Sequence, residues 1–537
     1  VESNRTKNSN PSLNMTRLFG ILLFSLFFVE PYKILVVNPK FGHSHTNFLG
    51  GIADILVEAG HNVTSLMPVI DPRCGDGTQK SNKIYVQQSA ATAELMKQFS
   101  SAITDLFNIN KHSFMEAYLL GKFFASVYAT QCRAVLEEPG LIDRLRAEKY
   151  DVMFTEHYDM CGTAMVELIK PKSFIPTSSS VAFGSQLDEF GIPKAFSYNP
   201  ALSMARMNVH SIWNRLENIY VSFLLQMSFG YARIAMNDLS REIFGPEFPS
   251  VLDISSRSAY VFINSEPLID FATPTISKII YIGGIGTKEP KKLNEEWESI
   301  LARREKTVLL SFGSVTKSIY MPMRIKMSII EMAKSLPHVT FIWKYELEDD
   351  FTRDIASKIG NLHIVQWTPQ TDLLAHPNLS AFITHAGMGS VLEMAHNGMP
   401  GIFVPLFGDQ PRNAGMMEHN GLGKVMNKNY LTDPFKFAAV IREVIDNDSY
   451  RKNAIRISQM LKKKQFSVRE QIVKYTEFAA EFGSSAALRP QSHDMSWIEY
   501  HNVDIILITI TFTFALCAIA IKLVRKCLFY IVLNHKA

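Results

Sequence analysis

Residues 367–410 constrain the fold more than any other stretch of the chain. They read WTPQTDLLAHPNLSAFITHAGMGSVLEMAHNGMPGIFVPLFGDQ. An apolar strand, Ser380 to Thr384, runs into His385 and the glycines Gly387 and Gly389. A helical run then carries Glu393 on its first turns, and a second apolar strand, Gly401 to Leu406, ends at Asp409-Gln410. Strand, glycine-rich turn, helix and strand make the parallel α/β unit that presents a helix N-terminus and open backbone N–H groups to a phosphate. The glycines let the backbone approach an anion that a Cβ would hold off. His385 and Ser390 add donors for the phosphate oxygens, and Glu393 can accept from both ribose hydroxyls. Trp367 offers a flat face for a base, Gln370 a hydrogen bond near the ribose, and Asp409-Gln410 a grip for sugar hydroxyls. An ordinary crossover would not require this set together, so the segment reads as a nucleotide-sugar site.

The same segment resembles the signature of the UDP-glycosyltransferases, the membrane-bound glucuronosyl- and glucosyltransferases of animals. The agreement covers Trp367, Gln370, Asp372 to Leu374, the THAGMGS loop with Glu393, Pro400, Pro405 and Asp409-Gln410. The resemblance implies a GT-B fold, an α/β architecture of two Rossmann-like domains facing across a cleft. It further implies inverting transfer of glucuronate or glucose from a UDP-sugar to a hydroxyl of a small lipophilic acceptor. No cofactor is expected beyond the UDP-sugar co-substrate. His385 and a helix N-terminus can neutralise the diphosphate, so no metal is expected either.

A chain of 537 residues is expected to form two domains. Its net charge of +4 is spread along the sequence, which leaves a nucleic-acid partner without a basic stripe to bind. Two segments account for part of the 47% hydrophobic content. LFGILLFSLFFV (18–29), after Arg17, has the length of a signal-peptide core, with Met15 as the expected initiator and cleavage near Val29 or Glu30. IILITITFTFALCAIAI (505–521), extended by Leu523 and Val524, can span a bilayer. Lys522, Arg525 and Lys526 follow it, whereas Asp494, Glu499 and Asp504 precede it. The positive-inside rule therefore places the tail in the cytosol and the body in the lumen. A short span suits the thinner endoplasmic-reticulum bilayer. In that setting Asn62, Asn378 and Asn447 are glycosylation triplets, and one disulfide can form among Cys74, Cys132 and Cys161.

From Tyr32 the chain alternates strands and helices, which argues for a parallel, doubly wound sheet. Strand-like runs at KILVVNPK, HNVTSLMPV, DVMFTE, SFIPTS and AYVFINS fill the first half, with helical stretches from Ala90 to Val135 and from Ser197 to Phe244. A second start at TVLLSFGS (307–314) is followed by HVTFIWKYE, LHIVQW and the two strands of the signature. The expected organisation is a signal peptide (15–29), an acceptor-binding domain (30–285) and a UDP-sugar-binding domain (286–450). Helices that return to the first domain (451–490), a membrane helix (505–524) and a basic tail (525–537) complete it.

Ligands in such sheets bind outside the carboxyl ends of the strands. Sugar transfer to a hydroxyl needs a base there, and FGHSHTNFLGG (41–51) follows the first strand. The family's catalytic histidine, in a Ser-His pair at this place, matches Ser44-His45; His43 is a near competitor. An imidazole near neutral pKa suits the task. A carboxylate on its other ring nitrogen would fix the tautomer. Vertebrate members supply an aspartate five residues before a cysteine; here Glu156 stands five before Cys161, with Asp159 as an alternative and Asp151 marking the strand start. Ser311 and Ser314 resemble the family's turn beside the diphosphate. Glucuronosyl members tend to carry an arginine where Ile263 precedes Asn264-Ser265, so Arg412 is the expected substitute if the donor is UDP-glucuronate. Phe107, Phe114, Phe123 and Phe124 are candidates for an apolar acceptor wall. A silent sugar- or lipid-binding protein, or a lipid-linked transferase, would use the same fold. The acceptor's identity and the oligomeric state, a homo-oligomer included, are not readable from the sequence.

Overall fold

The computed structural model describes residues 31–103, 107, 114–182, 184–314 and 316–534. The segment 18–29, read above as a signal core, lies outside the described residues. Two all-parallel sheets form two layered α/β domains. The first has seven strands, β1 (Lys33–Val37), β2 (Asn62–Pro68), β3 (Asn82–Val86), β4 (Val152–Glu156), β5 (Ser173–Ser178), β6 (Val261–Ile263) and β7 (Ile279–Tyr281), in the order β3-β2-β1-β4-β5-β6-β7. The second has six, β8 (Lys306–Ser311), β9 (Val339–Lys344), β10 (Leu362–Val365), β11 (Leu379–Thr384), β12 (Gly401–Phe403) and β13 (Gly423–Val425), in the order β10-β9-β8-β11-β12-β13. The central strands are apolar along their length because helices cover both faces of each sheet.

The helices that position the cleft are α1 (His43–Glu58), α2 (Phe114–Leu136), α3 (Cys161–Ile169), α4 (Ile212–Phe244), α5 (Met388–Asn397), α6 (Gln410–His419), α7 (Asp448–Lys462), α8 (Val468–Phe482) and α9 (Val503–Asn534). In α1 the buried residues Phe48, Leu49, Ile52, Ala53, Ile55 and Leu56 recur at helical spacing and pack on β1. Its first turn is clamped from outside. A Cβ on Gly50 would lie 2.1 Å from the Gly77 backbone, and one on Gly77, at φ +70°, would lie 2.0 Å from the Thr46 carbonyl oxygen. The loop around Gly77 thus crosses directly on the turn that carries His45, a contact only glycine permits.

Three features differ from expectation. Residues 197–211 are a loop and not the start of a helix, because Asn218 of α4 ties it down. Its Oδ1 accepts from the Ala201 N–H at 2.7 Å, and its Nδ2 donates to the carbonyls of Phe196 and Asn199. The return to the first domain, expected from 451, begins at α8. Ala454, Ile457 and Leu461 of α7 belong to the second domain's core, whereas Ile472, Ala479 and Ala480 of α8 pack with β1 and α1. The edge strands β3 and β13 are short and carry polar residues, which hides them from an apolar pattern. A helix starts at Pro434, capped by the Asp433 carboxylate, which accepts from the Lys436 N–H.

Cys132 of α2 and Cys161 of α3 form a disulfide, and Cys74 is a buried free thiol. Asn62, Asn378 and Asn447 are exposed. The helix α9 is apolar over Val503–Ile531, none of it buried in the protein, and is long enough to cross a membrane.

Candidate active site

Strands β1, β4 and β5 are neighbours, and all three end at the same edge of the sheet. Glu156, the last residue of β4, lies level with Thr177 of β5, while α1 begins just beyond β1. This order brings together residues more than 130 positions apart in the chain. His45 Nδ1 lies 4.0 Å from Glu156 Oε2 and 2.5 Å from Ser179 Oγ. Glu156 is only 1% exposed. Burial lowers the His45 pKa to about 4 and raises that of Glu156, the latter helped by the nearby Asp159. The cause in each case is the cost of holding a charge away from water, so the imidazole rests neutral, the form that can accept a proton.

The alternatives fall elsewhere. His43, the first residue of α1, faces Asp71. Asp151 accepts from the Lys33 N–H at 2.8 Å and so ties the starts of β4 and β1. The backbone N–H groups of Cys161 and Gly162 face Asp159, whose carboxyl burial raises to about 7.

Aromatic rings surround His45. Tyr158 meets it edge to face at 4.9 Å between centroids, and Phe229 packs on Tyr158. Phe41 lies on another side at 6.4 Å, backed by Phe124 and Tyr128. Phe123 packs on Phe124 behind them. Two other expected wall residues do not take part. Phe107 is buried in the second domain's core, edge-on to Phe312, and Phe114 is exposed.

On the opposite side, the turns after β8 and β11 meet at His385. A Cβ on Gly313, at φ +84°, would stand 2.6 Å from His385 Cε1, and one on Gly387 would stand 2.7 Å from Nε2. The imidazole therefore fits only because both neighbours lack a side chain. Gly387 also N-caps α5 without any side-chain hydrogen bond, so the first-turn N–H groups remain to serve an anion, with Gly389 and Ser390 in that turn. Ser311 is buried, its hydroxyl 3.5 Å from the Gly313 N–H, and Ser314 is exposed in the same turn. Lys344, at the end of β9, donates to the Gly313 carbonyl at 3.2 Å and sits 4.8 Å from the centroid of the Trp367 ring. Sequence reasoning missed this cation, although its place at the carboxyl end of a strand could have flagged it. Burial and the positive charge of Lys344 lower the His385 pKa to about 4.

Trp367 is 74% exposed, with a ring face open to solvent. Gln370 Nε2 donates to Glu393 Oε2 at 2.6 Å and to Ser390 Oγ at 3.2 Å, and Thr371 Oγ1 donates to Glu393 Oε1 at 3.3 Å. These bonds hold Glu393 in place for the hydroxyls it would bind, and Gln370 acts as its support. Burial raises the Glu393 pKa, which the bonds from Gln370 and Thr371 oppose.

The two halves meet at α6. Asp409 Oδ2 accepts from Ser180 Oγ at 2.7 Å and from Asn413 Nδ2 at 2.9 Å. Ser180 neighbours Ser179, so two successive residues at the tip of β5 touch His45 and Asp409. Gln410 Oε1 accepts from the Leu406 and Phe407 N–H groups and fixes the loop after β12. Arg412, by contrast, is not brought to this pocket. Its Nη1 donates to Asp270 at 2.6 Å, Nη2 to Asn199 at 3.1 Å and Nε to the Pro200 carbonyl at 3.3 Å. The guanidinium is thus committed to the first domain and to Met416 of its own helix, and Ile263, the last residue of β6, is buried in the core.

A family model described as UDP-glucoronosyl and UDP-glucosyl transferase matches residues 32–536. The Caenorhabditis elegans protein ugt-48 is 29% identical over 497 residues, which cover 89% of this chain and 91% of that protein. Human UDP-glucuronosyltransferase 1A8 is 27% identical over 517 residues, 94% of each chain. Among solved structures, Phytolacca americana UGT2 with UDP-2fluoro-glucose and pterostilbene aligns with a TM-score of 0.53 at 14% identity, covering 84% of this chain and all of that one. The calicheamicin glycosyltransferase CalG4 aligns at 0.56 and 15% identity, over 84% and 99% of the two chains. These are GT-B folds, and the two facing parallel sheets described here share that architecture. The family match runs from the first strand through the apolar C-terminal helix, and the chain is a UDP-glycosyltransferase belonging to the UDP-glucuronosyl and UDP-glucosyl transferase family.

Proposed function

We propose that this enzyme transfers glucuronate from UDP-glucuronate to a hydroxyl of a small lipophilic acceptor, inverting the sugar's anomeric carbon. The observation that carries this reading is the link His45–Ser179–Ser180–Asp409, which sets a neutral imidazole beside a sugar-gripping carboxylate. His45 takes the acceptor's proton as its oxygen attacks the sugar, and Glu156 stabilises the imidazolium that forms. UDP departs toward the Lys344 ammonium and the first-turn N–H groups of α5, whose positive charge and partial charge lower the cost of the developing diphosphate charge, while the neutral His385 ring donates an N–H. No divalent cation is invoked in this arrangement. Uracil stacks on Trp367, the ribose hydroxyls donate to Glu393, and Asp409 with the Gln410 amide binds the sugar. The rings of Phe41, Phe124, Tyr158 and Phe229 supply an apolar bed for the acceptor, in keeping with conjugation of xenobiotics.

Glucosyl transfer is the second reading, favoured by Arg412: with its guanidinium tied to Asp270 and Asn199, it has no face to offer a C6 carboxylate. Full-length protein in microsomes, incubated with labelled UDP-glucuronate or UDP-glucose and a panel of phenols, decides between them by which β-glycoside appears. No product from either donor would overturn both.

Two further outcomes follow. Glu393→Ala should weaken UDP binding by about 1.5–3 kcal/mol, the worth of charged hydrogen bonds to the ribose. Calorimetry returning wild-type UDP affinity would show that the ribose lies elsewhere. The disulfide Cys132–Cys161 and α9 support a lumenal body anchored in the endoplasmic-reticulum membrane. Deleting residues 504–537 should shift the protein to the soluble lumenal fraction, and protease added outside sealed microsomes should trim only the tail. Digestion of the body from outside would invert that topology.

A further inference from the structure

Between His45 and Glu156 the gap of 4.0 Å is too long for a hydrogen bond, so the carboxylate does not hold the imidazole directly. The group that does is the Ser179 hydroxyl, at 2.5 Å from Nδ1. Neither Glu156 oxygen makes a well-directed hydrogen bond, yet the hydroxyl and amide of Ser179 and the amide of Tyr158 all face that carboxylate. Ser179 is itself held in place. Its carbonyl accepts from Asn264 Nδ2 at 2.9 Å, and the next residue, Ser180, is bound to Asp409. A buried carboxylate, a serine fixed at the tip of β5 and an imidazole thus lie in sequence at the edge of one sheet.

We propose that Ser179 is a positioning residue, whose hydroxyl accepts from His45 Nδ1–H and donates to Glu156, so that the carboxylate acts on the base through the serine. The proposal rests on His45 being the base. A hydroxyl has one proton and two acceptor lone pairs. When that proton points to Glu156, the oxygen can only accept from Nδ1, which leaves Nε2 unprotonated and ready for the acceptor's proton. When it points to Nδ1, the imidazole carries its proton on Nε2 and cannot act as a base. Burial lifts the Glu156 carboxyl to about 8, and its ionised form selects the first arrangement, because a carboxylate accepts and a hydroxyl is the donor next to it. A protonated Glu156 can itself donate, so the base-competent arrangement grows as pH rises toward that value. In the transfer step the acceptor's proton moves to Nε2, and Nδ1–H stays where it is. The positive charge that appears on the ring is felt by Glu156 across one oxygen atom. The other titratable groups facing this cluster are Tyr158, Asp159, Tyr128 and, across the cleft, Asp409.

The test uses the full-length protein with Ser179→Ala, Ser179→Thr and, as a reference, His45→Ala. Ser179→Ala should lower kcat by about tenfold or more, a part of the hundred- to ten-thousand-fold that a general base contributes. UDP affinity and donor KM should stay within about twofold, since the serine does not touch the nucleotide. The pH dependence of kcat should shift, because the imidazole loses its link to Glu156. Ser179→Thr keeps the hydroxyl and should restore most of the rate. Wild-type kcat with an unshifted pH profile in Ser179→Ala, while His45→Ala is inactive, would overturn the proposal and leave the base assignment standing. A loss in Ser179→Ala that follows thermal stability and is not rescued by threonine would overturn it as well, in favour of a purely structural serine. An active His45→Ala would remove the base assignment and this proposal together.

Discussion

His45→Ala should reduce turnover by about a hundredfold or more, within the range general bases contribute, while UDP affinity stays near wild type. The asymmetry follows from the geometry. His45 sits in α1 of the first domain among Tyr158, Phe41 and Ser179, whereas the residues read as nucleotide contacts, Trp367, His385 and Glu393, belong to the second domain. Removing the imidazole therefore takes away a proton acceptor without disturbing the donor site. Stopped assays of kcat alongside calorimetry with UDP separate the two effects. Loss of wild-type rate as pH falls below about 8 should report protonation of Glu156, whose carboxyl burial lifts to about 8, and not of His45, whose ring burial keeps neutral. Turnover unchanged in His45→Ala would move attention to His43.

Arg412→Ala should destabilise the protein by about 3–5 kcal/mol, the cost of stripping one partner from a buried ion pair. The pair is Arg412 with Asp270, whose side chains are 3% and 13% exposed, and the removed guanidinium also leaves Asn199 and the Pro200 carbonyl without their donor. Because all of these partners lie in the first domain and Arg412 in the second, use of UDP-glucose and UDP-glucuronate should fall together. Thermal melting and parallel rates with both donors check this. A selective loss of UDP-glucuronate use with unchanged melting would return Arg412 to the sugar.

The parts of the site that were legible in the sequence are those built within one contiguous unit. Strand, His385, glycines, α5 and Glu393 follow one another over a few turns of chain, so periodicity and residue type suffice to place them. His45 and Glu156 needed more, namely the rule that chemistry gathers at strand carboxyl ends, together with the family resemblance. Ser179, Ser180 and Lys344 were not legible. A serine in the run Ser178-Ser179-Ser180 looks like any loop residue until the neighbour order β1-β4-β5 sets it against His45. Arg412 misled for the same reason: standing next to Asp409-Gln410 in sequence says nothing about which side of α6 it occupies. The fold was legible in its buried strands and in the edge strand β10, and obscure at β3 and β13, where five and three residues carry polar side chains.

The late return of the chain at α8 decides which half of the enzyme carries the apolar helix α9. After α8 packs on α1, the segment leading to α9 stays with the first domain: Arg489 reaches Ser256, and Pro490 and His493 close over Gly191. The apolar helix α9 is therefore tethered to the first domain. The second domain is joined to the first by two covalent stretches, one after β7 and one between α7 and α8, and by the contacts of Asp409, Arg412 and Asn420 with the first domain. Whatever surrounds α9 therefore reaches the second domain only by way of the first.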